Sequence, residues 1–72
     1  MDRQSVAARV EASLDADPRT ADAPISVSGM GGEVTLEGTV KSVAIRTAAE
    51  EIAKADPGVF MVVNELRVGS SR

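Results

Sequence analysis

The stretch Gly32-Glu33-Val34-Thr35-Leu36-Glu37-Gly38-Thr39-Val40 decides the fold. In an extended chain Val34, Leu36, Gly38 and Val40 fall on one side, and Glu33, Thr35, Glu37 and Thr39 on the other. That two-residue period marks a strand with one buried face. Upstream, Ile25-Ser26-Val27-Ser28 alternates in the same way, and the two segments read as a β-hairpin. Its turn is predicted at Gly29-Met30-Gly31-Gly32, where glycine accepts positive φ. Leu36 is expected at the centre of the core, and Gly38, in the buried phase, where a helix packs close to the strand.

Helical periodicity flanks the hairpin. Val6, Val10 and Leu14 recur at i, i+4 and i+8, with Ala7, Ala8 and Ala12 adding helix propensity. Asp2 is placed to cap this helix, and Pro18 ends it, because the residue before a proline is pushed out of the α region. Residues 15–24 read as a polar connector, with Pro24 just ahead of the first strand. After the hairpin, Ser42 reads as an N-cap, and Ile45, Ala48, Ala49, Ile52 and Ala53 form the apolar stripe of a second helix. Glu50 and Lys54 stand four apart in the favourable order, a pair worth about 0.2–0.5 kcal/mol when exposed. Asp56-Pro57-Gly58 stops the helix, and a last strand is predicted over Val59–Val68. The result is one α+β domain over residues 1–68, an α-β-β-α-β two-layer sandwich with both helices on one face of a three-stranded mixed sheet. Residues 69–72 read as a disordered tail. The 33–40 strand takes the centre, joined to the last strand by a right-handed crossover.

Composition narrows the function. The 72 residues include no Cys, His, Trp or Tyr, and Phe60 is the lone aromatic. Thiolate metal sites, histidine bases and a stacking platform for bases are thereby removed. Net charge is -3, and the eight Lys and Arg form no dense run, so nucleic acid is not an expected partner. The same balance weakens a purely electrostatic pull toward anionic lipid. The longest apolar run, Val59–Val63, is too short to span a bilayer. Met1-Asp2-Arg3-Gln4-Ser5 lacks a signal-peptide pattern, so a cytoplasmic location is expected of the chain as it stands, and a periplasmic one if it is an excised or mature domain. No Ser or Thr has a base to activate it. Glu50 and Glu51 point about 100° apart on a helix, and Glu33 and Glu37 lie on an exposed strand face. Neither a catalytic site, a cofactor nor a small-molecule substrate is expected. Gly29-Met30-Gly31-Gly32 fits the G-x-x-G of a KH loop, but that loop joins two helices and this one joins two strands. Asp15, Asp17 and Asp22 lack the spacing, the central Gly and the distal Glu of an EF-hand and read as a solvated connector; no metal site is assigned.

The best candidate for function is Val59-Phe60-Met61-Val62-Val63, which does not alternate as a strand with one buried face should. Counting back from Leu66 and Val68 puts Asn64, Val62 and Phe60 in the buried phase and Met61 and Val63 outside with Glu65 and Arg67. At least two of these apolar side chains are then exposed. Phe60, Met61 and Val63, with Met30 at the hairpin tip, are the candidate residues for contact with a protein or a lipid surface. The ordinary alternative is that a bulge or a helix end covers Phe60 and Met61 and that Met30 is a solvated tip. The last strand is expected at a sheet edge, where another strand can add.

The order and punctuation resemble the BON domain, a module named from bacterial osmotic-stress and nodulation proteins. The residues that carry the resemblance are Val10, Leu14 and Asp17-Pro18, then Ile25 and Val27, then Gly32-x-Val34-Thr35-Leu36-x-Gly38-Thr39-Val40. Ala48, Ile52, Ala53, Pro57-Gly58-Val59, Val62, Asn64, Leu66 and Val68 complete it over nearly the whole chain. The resemblance implies an α/β sandwich without enzymatic activity and with no universal ligand residue. It implies members that are mostly envelope proteins, often with two copies, proposed to bind phospholipid surfaces or partner proteins. One branch is linked to potassium, for which backbone carbonyls would leave no sequence signature. In the family pattern Val59 and Val62 are both core, which implies an irregularity near Phe60-Met61. As it stands, this sequence reads as a departure in three ways: one copy, no signal-peptide pattern and a turn that reads longer than usual. The function expected is therefore contact without chemistry: protein–protein contact, as a homo-oligomer or an accessory module, with a phospholipid surface of the cell envelope as the alternative and a potassium-binding stress protein as a minor one.

Overall fold

The computed structural model describes residues 5–69. Helix α1 spans Val6–Ala16, strand β1 Ile25–Met30, strand β2 Glu33–Val40, helix α2 Val43–Lys54 and strand β3 Met61–Val68. The sheet order is β1-β2-β3, with β1 antiparallel and β3 parallel to β2. This is the α+β arrangement expected, with the alternating stretch in the centre.

The helix ends follow local chemistry. Ser5 caps α1, its hydroxyl accepting from the Ala8 N–H at 3.1 Å. The cap proposed at Asp2, like the tail at 70–72, lies outside the described residues. At the other end Asp17 adopts the extended conformation that Pro18 imposes. Ser42 caps α2 as expected, accepting from the Ile45 N–H at 3.2 Å. Glu50 and Lys54 pair at 3.0 Å.

The core lies between the helices and one sheet face. Val10 and Leu14 from α1, Val34, Leu36 and Val40 from β2, Ala49 and Ala53 from α2 and Leu66 from β3 form one buried cluster. The small alanines let α2 lie close on the sheet. The connector is more than solvated polar chain: Thr20 is fully buried and its hydroxyl donates to the Leu14 carbonyl at 2.6 Å. It thereby satisfies a carbonyl that the end of α1 leaves open.

Four sequence expectations need correction. The hairpin turn is only Gly31-Gly32, because Gly29 and Met30 remain in the ladder opposite Val34 and Glu33. Gly31 has φ of 65°, and Gly32 is not among the positive-φ residues, the pattern of a type II′ turn. No helix packs on Gly38. Its φ is 136°, and an added Cβ would collide with the carbonyl oxygen of Pro24, so the connector's backbone explains the glycine. Strand β3 starts at Met61 rather than Val59. Gly69, assigned to the tail, donates its N–H to the Val40 carbonyl at 2.9 Å and so extends the ladder by a residue.

Candidate contact surface

The helices cover one sheet face and leave the other open. Pairing carries the outward phase of β2 across all three strands. Met30 pairs with Glu33, which pairs with Met61; Ser28 pairs with Thr35, which pairs with Val63; Ser26 pairs with Glu37, which pairs with Glu65. Partners in a ladder share a face, so Met30, Glu33 and Met61 form one row at the end where β2 begins. Val63 lies in the next row, half-buried beside Thr35.

Phe60 stands just outside this row. Its N–H and that of Met61 both donate to the carbonyl of Gly32, at 2.9 and 3.4 Å. Two successive donors on one acceptor are the irregularity expected near Phe60-Met61. It lets Val59 and Val62 both pack against the core. Phe60 is therefore not in a buried phase: it is 80% exposed, with its ring lying over Gly32. A Cβ at Gly32 would stand 2.7 Å from Cε2 of that ring, so glycine makes room for it. Met30 is 84% exposed and Met61 48%. Neither a bulge nor a helix end covers Phe60 or Met61. Three of the four candidate residues thus protrude at one end of the domain, and Val63 adjoins them.

The surroundings are fixed by polar contacts that sequence reading did not identify. Arg9 on α1 donates to both carboxylate oxygens of Asp56, at 3.0 Å each. Asp56 also accepts from the Gly58 N–H at 2.8 Å, which pins the loop leading into Phe60. These donors, the Arg9 guanidinium foremost, hold the Asp56 carboxyl below the usual carboxylate range. On the edge strand, Asn64 donates to Glu50 Oε1 at 3.1 Å and accepts from the Leu66 N–H at 3.1 Å. Strand β3 is a sheet edge as expected, but this side chain occupies one of its donors and blunts strand addition there. No spacing rule signals either contact: Arg9 and Asp56 are 47 residues apart.

At the far end of β2 a cleft of about 390 Å³ includes Arg19, Pro24, Thr39, Lys41 and Ile45 in its lining. Its Arg19 is already engaged by Asp17 at 3.0 Å and by Glu51 at 3.7 Å. A shallow hollow of about 460 Å³ on the open face lies among Glu37, Gly38, Thr39, Glu65 and Arg67. Among the described residues no group of three or more carboxylates is arranged to hold a metal ion, and Asp17 is spent on Arg19. Among them, too, no helix is long and apolar enough to cross a membrane.

The BON domain family model matches residues 2–70, essentially the whole chain. The chain belongs to the BON domain family. BON domains are binding or interaction modules, generally without catalysis. No curated protein matches this chain. Within the BON fold seen here, β2 supplies the alternating buried side chains that pack the core, while the row at its start and Phe60 beside it supply the uncovered apolar surface.

Proposed function

We propose that this BON domain works by protein–protein contact through Met30, Phe60, Met61 and Val63 and carries out no chemistry of its own. One observation carries the reading: large apolar side chains stand 84, 80 and 48% exposed, at Met30, Phe60 and Met61, around one end of a small domain. A monomer gains nothing by showing water such a cluster, and exposed clusters of this kind mark contact surfaces. Methionine adapts to varied partners, and an aromatic supplies a large contact area. The contact runs over the open face, since Asn64 blunts the β3 edge. A phospholipid surface is the weaker reading, because Glu33 sits within the row and the open face also bears Glu37 and Glu65. Anionic headgroups would be repelled there.

Two sedimentation assays test the choice. In co-sedimentation with neutral phosphatidylcholine vesicles and with anionic phosphatidylcholine–phosphatidylserine vesicles, the chain is expected to stay in the supernatant at low and high salt. In sedimentation equilibrium, concentrated chain is expected to self-associate weakly, using this same end. Salt-sensitive pelleting with anionic vesicles would contradict protein contact and return the lipid reading.

A further inference from the structure

Resting on that contact reading, we propose that the row Met30–Glu33–Met61 receives a lysine or arginine side chain of a partner protein, while Phe60 covers an apolar neighbour of that cation. The register sets Glu33 between the two methionines on one face. Adjacent strands lie about 4.8 Å apart, so Met30 and Met61 flank the carboxylate across about 10 Å. A long cationic side chain matches that row: its methylene stem lies along apolar surface and its head reaches a carboxylate. Glu33 is exposed and takes part in no ion pair among the described residues, and the same holds for Glu37 and Glu65. Arg67 is the one cation in the strand rows of that face.

A second copy of the chain is a poorer occupant. Two such faces opposed would bring together six carboxylates, three from each, against two guanidiniums, one from each. Like charges placed opposite one another suppress association. Self-association is then a weak surrogate for the true contact.

The test uses the full chain and three labelled peptides of equal length, alternating Leu–Lys, Leu–Ser and Leu–Glu, read by fluorescence anisotropy. The Leu–Lys peptide is expected to bind about tenfold more tightly than Leu–Ser, with Leu–Glu weakest. Glu33→Gln should weaken Leu–Lys binding roughly three- to fivefold, as should high salt. Glu11→Gln, on the exposed side of α1, should leave it unchanged. In sedimentation equilibrium Glu33→Gln should instead strengthen self-association, because it removes repulsion between copies. Equal binding of Leu–Lys and Leu–Ser, equal effects of Glu33→Gln and Glu11→Gln, or no binding of any peptide would overturn the cation site. Weakened self-association in Glu33→Gln would overturn it too, making a second copy the source of the cation. Phe60→Ser separates the two claims. If Phe60→Ser leaves the binding of every peptide unchanged, the contact reading itself fails. If it weakens Leu–Lys and Leu–Ser alike while Glu33→Gln does nothing, only the cation site fails.

Discussion

Leu36 is fully buried in the central strand, between neighbours from both helices and from β3. Truncating it leaves a cavity that so small a core cannot easily close. Leu36→Ala is expected to cost about 2–5 kcal/mol, a large part of the stability of a domain this size, measured as a lower and broader thermal transition. An unchanged transition would contradict the strand phase. Gly38 makes a different case at the same scale. Its backbone, at φ of 136°, is one that side chains rarely adopt, and the Pro24 carbonyl fills the space a Cβ would need. Gly38→Val should therefore destabilise by about 1–3 kcal/mol although valine favours strands, and denaturant unfolding would show it. A stabilised variant would refute the close approach. The inward phase of both residues was legible from alternation alone. The reason for Gly38 was not, because a positive φ and a carbonyl from the preceding connector belong to three-dimensional register rather than to period.

Among the elements, the order, the Ser42 cap and the alanine stripe of α2 could be read directly, since each is a local signal. The turn was overestimated because three of its four residues are glycine: only pairing shows that Gly29 and Met30 still belong to β1. Contacts between elements were not legible, and the Arg9–Asp56 pair is the chief one. It joins α1 to the loop ahead of β3, with Asp56 only 11% exposed. A carboxyl whose pKa is lowered on folding contributes stability that is full above its unfolded value and is lost as pH falls through its folded one. Asp56, Asp17 and Glu50 are all shifted downward, by Arg9, by Arg19 and by Lys54 with Asn64 respectively. Melting temperature should thus fall on acidification below the ordinary carboxylate range. Asp56→Asn should lower the neutral-pH melting temperature and flatten part of the acid decline, seen in thermal scans from about pH 6 to pH 2. A variant whose profile parallels that of the native chain would show that the pair contributes no pH dependence.

For the whole molecule, one side of a thin sheet is packed and the other is left open, and the break in alternation at Val59–Val63 was the clue to the exposed apolar side chains of Phe60 and Met61. Sequence placed Met61 and Val63 outside but left Phe60 ambiguous, because its phase depends on a backbone irregularity. It also missed that Glu33 stands between Met30 and Met61, which needs the register of both ladders. The role proposed for Phe60 and Met61 is contact and not the core. Its most direct test is the paired change Phe60→Ser, Met61→Ser, followed by circular dichroism and sedimentation equilibrium over the same concentrations. A spectrum and cooperative melt like those of the native chain are expected, with weak self-association abolished. Loss of the folded spectrum would return both residues to the core, and undiminished association in a folded variant would place the contact elsewhere.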